Sequence, residues 1–451
     1  MLSEQDRPES DDAGAKHVAG LRSATQHPLL LLGLIVAGGL ALRLPLAFIH
    51  GYSADISGSV ELARNIVLKG LPHAYAPSLA NPDLGVYPPA YYYVLGLLGA
   101  IYQRFFSLSF DRTLTLDVML KLVPILGDCL IAVILYSLVR RLSNTRAALW
   151  VAAVFLLCPP IIYNSAYWGM FGDPLYMACI LLALLAIQRE RTSLAWVAMT
   201  VGVLVKPQAF AFVPLIAWLT LRPVKLGRWI RAGAASGLTA TAIWLPFVVA
   251  GTLPQAIAAL KQTVGLFPVV SANAHNVWYL LTLGKSWFVN DADPLLGPFS
   301  PRVMGLIGFG LAYVLALVRL GETRGWPVLA TAAYIAFAFF MLSTEMHENY
   351  IVPTITLLMA TWPWSRRASK LAVVLTFTAL VNMVLHDPPL QGSLEGQAYL
   401  TLINLTVLNS GINVLVFIAW TGALLWNSTV ARAMAARPTR LDPVQSSAKA
   451  H

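Results

Sequence analysis

Charge is what this sequence has least of. Asp, Glu, Lys and Arg make up 12% of its 451 residues, against 57% hydrophobic residues, where soluble domains carry about 25% charged residues. That scarcity excludes an ordinary soluble globular chain. The charges also leave repeated apolar gaps near the roughly 20 residues a helix needs to cross the hydrocarbon. Cysteine is almost missing. Cys129, Cys158 and Cys179 fall within or at the ends of apolar runs at unrelated spacings, which implies neither a disulfide framework nor a metal site. The apolar segments lack period-two alternation, which excludes a β-barrel. There is no internal repeat of fixed period and no second soluble domain. No His-x-x-x-His spacing occurs in the sequence, and no metal is expected. Residues 1–27 are polar and the first apolar run is long enough to persist as an anchor, so no cleavable signal is expected.

What the chain does have is a net charge of +10, placed mostly in short connections between apolar runs. That is the pattern of topology determinants and not of a nucleic-acid-binding face. The fold class expected is all-α: a polytopic helical membrane protein. Window reading gives about twelve spans, at 29–49, 117–139, 147–163, 174–188, 193–205, 207–221, 230–250, 302–319, 326–343, 350–363, 370–386 and 402–426. Residues 1–27 and 428–451 read as disordered cytoplasmic tails flanking one domain, 28–427. Residues 90–105 are short and tyrosine-rich, as suits an interfacial helix. If they do not cross, the basic clusters at 140–146, 189–191, 222–231, 319–324 and 366–370 share one side with both termini, which the positive-inside rule places in the cytoplasm. The long loops 50–116 and 251–301, with 164–173, Lys206, 344–349 and 387–401, then share the external side. If 90–105 crossed, every later connection would flip.

The polar motifs all fall on that external side. Asp55 follows the first span; it can be the N-cap of a helix from Ile56, or a general base at the membrane boundary. Tyr87-Pro88-Pro89 opens a helix whose Tyr91-Tyr92-Tyr93 run suits the headgroup region. Lys121 and Asp128 lie seven residues apart on about one face of the second span, as substrate-side groups or as structural ion pairs. Asn164-Ser-Ala-Tyr-Trp168-Gly-Met-Phe-Gly-Asp173 joins two spans. Lys206-Pro207-Gln208 interrupts a long apolar run, and its lysine suits an anionic headgroup or simply snorkels. Asn273-Ala-His275-Asn276-Val-Trp278 lies in the second long loop, and Glu345-Met-His347-Glu348-Asn349-Tyr350 precedes the tenth span.

The order and spacing of these motifs resemble the GT-C class of membrane glycosyltransferases, nearest to the dolichyl-phosphate-glucose glucosyltransferases and their prokaryotic mannosyltransferase-like relatives that use polyprenyl-phosphate sugars. The resemblance runs from about residue 40 to 360. It implies metal-independent, inverting transfer from a lipid-phosphate sugar, with Asp55 as the base and Lys206, Gln208, His347 and Glu348 near the donor phosphate. Tyr87, Trp168, Asp173, His275, Asn276, Trp278, Lys121 and Asp128 would support the substrates. Three positions depart from the family pattern: Met170 where Gln is frequent, Val86 where an acid often precedes Tyr-Pro-Pro, and Asn349 where Lys or Arg is common.

The expected activity is therefore transfer of a hexose, mannose or glucose, from a polyprenyl-phosphate donor to a lipid-linked or glycan acceptor at the external face. No cofactor beyond the lipid-linked donor is expected, and no nucleic-acid partner; membrane lipids are the surroundings. A plasma (inner) membrane location is expected, with the endoplasmic reticulum membrane as the alternative. The rival reading is a transporter or lipid flippase. It lacks the paired broken helices of inverted repeats.

Overall fold

The computed structural model describes residues 27–49, 51–81, 84–263 and 265–435, with side chains through 426. Most of the expected tails, and His50, lie outside these residues. The described residues are nearly all helical, with isolated β-bridges and no strand.

Among the described residues, the α-helices longer than five residues are α1 Pro28–Ala47, α2 Ser53–Lys69, α3 Pro89–Phe105, α4 Leu114–Leu142, α5 Thr145–Leu156, α6 Gly172–Gln188, α7 Thr192–Val205, α8 Val213–Leu221, α9 Leu226–Val249, α10 Leu253–Gln262, α11 Pro301–Leu320, α12 Trp326–Leu342, α13 Val352–Thr361, α14 Arg366–Leu385 and α15 Gly396–Ala435. Each of the twelve apolar runs is helical, and the chain is a multi-pass membrane protein. By length and composition, six helices among the described residues qualify as spans alone, and a seventh if the bent pair 145–156 and 159–168 is one span; Gly172–Gln188, Thr192–Val205, Pro207–Leu221 and Trp326–Leu342 are shorter apolar helices. The difference has local causes. Pro159 and Pro160 cannot continue α5, and the chain bends there by 54°. Lys206-Pro207 ends α7, and a 3₁₀ turn over Pro207–Phe212 precedes α8. The apolar segment Trp326–Leu342 is only 17 residues long, about 25 Å at 1.5 Å per residue.

The last helix continues to Ala435, past the expected boundary at 427. Residues 429–435 are rich in alanine, the strongest helix former. Helix α3 spans 17 residues and packs along α2. Tyr91, Tyr92, Leu95 and Tyr102 face inward, while Leu97, Ile101 and Phe105 are exposed. The tyrosines expected at a headgroup layer are therefore partly core residues.

The intramembrane charges are settled by tertiary partners far off in sequence. Asp128 does not face Lys121 across one helix turn pair. Arg43 on α1, itself fully buried, donates from Nε to Asp128 Oδ2 at 3.1 Å, and Ser165 Oγ donates to the same oxygen at 2.5 Å. Lys121 Nζ instead donates to three backbone carbonyls, those of Leu46 (3.3 Å), Ile49 (2.6 Å) and Tyr167 (2.8 Å). Removing one member of a buried pair strands the other charge and costs about 3–5 kcal/mol. Asp128→Ala is thus expected to lower the apparent Tm in detergent sharply, with turnover per folded molecule unchanged. A wild-type Tm with lost turnover would move Asp128 into the chemistry.

Candidate active site

The Lys121 clamp is what places Asp55. It binds the end of α1, the following loop and the π-helical turn Tyr163–Trp168 into one knot. Tyr52 donates its backbone N–H to the Trp168 carbonyl at 3.1 Å, so α2 starts docked on that turn. The approach is close enough to require glycine at 51: a Cβ there would stand 2.6 Å from the carbonyl oxygens of Tyr167 and Trp168 and 2.8 Å from Lys121 Cε. Asp55 is not the cap of its helix. The cap position is Tyr52, and Asp55 lies in the first turn, where the helix dipole favours an anion.

Opposite stands a second charge. Lys206, at the break between α7 and the 3₁₀ turn, is buried and ion-paired with Asp173 in the first turn of α6. Asp173 Oδ2 also accepts from Asn349 Nδ2 at 2.6 Å and Asn164 Nδ2 at 3.2 Å. Asn349, a departure from the family pattern, thus has a defined partner. The Lys206 ammonium lies 4.9 Å from the centre of the Tyr350 ring, near enough for a cation–π attraction. Burial alone would lower its pKa, but Asp173, Tyr350 and Asp55 together more than offset this and hold it above the ordinary lysine value. Gln208, two residues on, keeps a buried Oε1 without a partner among the described residues.

The third wall comes from the loop before α13. His347 bridges backbone to backbone with Ala272 and Asn273, and Ala272 donates its N–H to the Met346 carbonyl at 2.9 Å. Arg302 fixes the base of this loop by donating to Asp291 Oδ1 and Glu345 Oε1, both at 2.7 Å. The 273–278 motif anchors it further. His275 Nε2 meets His386 Nε2 at 3.0 Å, Asn276 caps the short helix Val277–Leu281, and Trp278 Nε1 donates to the Leu342 carbonyl at 2.7 Å. His275, Asn276 and Trp278 are therefore tied to protein groups and hold the loop. Trp168 is likewise engaged: its indole N–H donates to Asp387 Oδ1 at 2.8 Å, and its ring meets Tyr52 edge-on at 5.5 Å.

The electrostatics show which groups share one field. The Asp55 side chain is open to solvent yet stands in a recess walled by protein. Burial pushes its carboxyl up to about 6; Lys206 pulls against the rise and Asp173 adds to it. Burial and then Lys206 push His347 down to about 4, so it is neutral near pH 7. Burial, with the Asp55 charge, raises Glu348 to about 8, so it keeps its proton at neutral pH; its Oε2 is buried without a hydrogen-bond partner. Tyr87 stacks on Tyr91 with ring centres 4.0 Å apart, and burial together with Tyr91, Asp55, Tyr350 and Asp173 raises its phenol. Asp55, Tyr87, Asp173, Lys206, His347 and Glu348 thus converge from five separate stretches of chain. Lys121 and Asp128 lie beneath as support. Tyr52, Tyr91, Tyr350 and Asp387 join them without having been singled out from sequence. Tyr91 sat within a run read as headgroup-facing, and Asp387 carried no signal at all.

A carboxylate with a pKa near 6 can take a proton from a hydroxyl near neutral pH, where most of it is ionised. If Asp55 is the base, kcat/KM falls about tenfold per pH unit below roughly pH 6, because protonation removes the acceptor lone pair. A profile flat between pH 5 and 8 would contradict that role.

Residues 95–222 match the family described as Alpha-(1->6)-mannopyranosyltransferase, N-terminal domain. This membrane protein therefore carries a glycosyltransferase-family segment. The segment holds Lys121, Asp128, Trp168, Asp173, Lys206 and Gln208, while Asp55 and His347 lie outside it. A solved structure, ArnT from Cupriavidus metallidurans bound to undecaprenyl phosphate, matches with a TM-score of 0.49 and 16% identity, covering 90% of this chain and 78% of that chain. That likeness transfers no residue role. No curated protein matches.

Proposed function

We propose that this protein is an inverting, metal-independent hexosyltransferase that moves a hexose from a polyprenyl-phosphate donor to an acceptor hydroxyl at the external face of a bacterial-type plasma membrane. The observation that carries the proposal is the facing of a solvent-open Asp55, with its raised pKa, and a buried, charged Lys206 across one recess. The family description of residues 95–222 favours mannose over glucose.

In this reading Asp55 accepts the acceptor's hydroxyl proton as that oxygen attacks the anomeric carbon. The bond from that carbon to the phosphate oxygen breaks on the opposite face, and polyprenyl phosphate leaves with the electron pair. The phosphate is already a good leaving group, so it needs fixed positive charge and hydrogen-bond donors rather than a strong acid. Lys206 supplies the charge. Neutral His347 and protonated Glu348 are uncharged donors that a phosphate can accept from without a further desolvation cost. Asp173 holds Lys206 in place while the donor is absent. One carboxylate base is enough here, unlike the pair that glycoside hydrolysis needs.

The purified protein, reconstituted in liposomes with labelled polyprenyl-phosphate mannose or glucose, is expected to yield a new glycosidic product, with or without EDTA. Movement of the labelled lipid between leaflets with no glycosidic product would overturn the proposal in favour of a flippase.

A further inference from the structure

The helices that carry the Asp55 recess at one end carry a different feature at the other. Asp173 opens α6 and Gln188 closes it, a separation of about 22 Å along the helix. Around Gln188 lies a cavity of ≈ 980 Å³ whose lining includes Arg141, Arg191, Arg228, Arg231 and Arg324, against a single acid, Glu190. Its floor is apolar, with Leu184, Leu219 and Val328. Such a cavity combines guanidinium groups with hydrocarbon contact.

The arginines are not neutralised by the protein. Among the described residues none of the five is in an ion pair with Asp or Glu. Four reach backbone carbonyls: Arg141 to Gln188 (3.1 Å), Arg228 to Arg222 (2.8 Å), Arg231 to Gly227 (3.1 Å) and Arg324 to Leu219 (2.9 Å). Each of these uses one of the five N–H groups a guanidinium offers, which leaves most donors free.

The placement of four of them, Arg191, Arg228, Arg231 and Arg324, is also unfavourable unless an anion is present. Arg191 caps α7, Arg228 and Arg231 lie in the first two turns of α9, and Arg324 precedes the Gly325 cap of α12. None of these three N-termini has a side-chain capping hydrogen bond. Cations are disfavoured where the helix dipole is positive, and such termini attract anions. The positive-inside rule accounts for arginines on this side of the molecule. It does not require them to crowd one cavity at three uncapped helix starts.

We propose that this cavity binds the phosphate headgroup of an anionic membrane lipid, with the guanidinium groups on the phosphate and the apolar floor against the glycerol and upper acyl carbons. Basic pockets between helix ends on the cytoplasmic side suit such headgroups, and guanidinium forks match phosphate geometry. The site is separate from the Asp55 recess and stands independently of the reading given to it.

Native mass spectrometry of the full-length protein in neutral detergent, with phosphatidylglycerol or phosphatidylcholine added, tests this. The wild type is expected to retain phosphatidylglycerol about tenfold over phosphatidylcholine. That preference should vanish in Arg228→Gln/Arg231→Gln and persist in Arg366→Gln/Arg367→Gln, which removes basic charge on the same side outside the cavity. Should the first variant not fold, Arg191→Gln takes its place, with the preference reduced at least threefold. No preference in the wild type, or equal loss in both double variants, would overturn the proposal. So would retention of inorganic phosphate in place of the lipid.

Discussion

Asp55→Asn is expected to lower the transfer rate by about 10²–10⁴-fold, the usual contribution of a positioned general base, while donor binding stays near wild type. The amide is nearly isosteric and still lies in the first turn of α2, so the fold around the Lys121 clamp should hold. It cannot accept the proton, because its nitrogen has no available lone pair and its oxygen is a far weaker base. Asp55 is open to solvent, so its replacement strands no buried partner. Loss of rate with intact Tm and intact donor retention is the signature sought. Equal loss in donor affinity would instead make Asp55 a binding group, and unchanged turnover would remove it from the chemistry.

The second large effect concerns the ion pair. Lys206→Met leaves Asp173 buried with only Asn164 and Asn349 as hydrogen-bond partners, and about 3–5 kcal/mol of stability should be lost. The same change removes the cation that pulls the Asp55 pKa down, so the acid limb of the pH profile should move upward. Pairing Lys206→Met with Asp173→Asn removes the stranded charge, and most of the stability should return. The apparent KM for the lipid-linked donor should nonetheless stay raised by about tenfold or more, since a charge-assisted contact to phosphate is worth about 1.5–3 kcal/mol. A double variant with wild-type KM would confine Lys206 to a structural role. The two readouts separate the stability of the pair from its use.

Much of the architecture was legible in sequence because apolar runs near span length have one interpretation in water and lipid. Every expected run became helix. The break at Lys206-Pro207 was legible, because a charge and a proline interrupt the apolar run there. What could not be read was the break inside the 147–163 run, where Pro159-Pro160 turn continuous hydropathy into a bent pair. Long-range partners were equally hidden. Arg43 and Asp128 lie 85 positions apart, and Trp168 and Asp387 lie 219 apart; no local spacing links them. The candidate site was legible for a different reason. Its residues sit in polar interruptions of an otherwise apolar chain, and topology alone assigned those interruptions to one side. Lys121 shows the limit of that logic. An intramembrane lysine invites a functional reading, and the three carbonyls around it instead make it the support on which the Asp55 loop rests.

The most direct measurement is product formation by the purified protein, assayed in parallel with Asp55→Asn against polyprenyl-phosphate sugars of different hexoses, with mass spectrometry and anomeric analysis of the products. The account predicts one preferred hexose donor and a new glycosidic bond of inverted configuration. It also predicts at least a hundredfold less product from the variant at equal donor occupancy. Product with retained configuration, or equal product from both proteins, would contradict it.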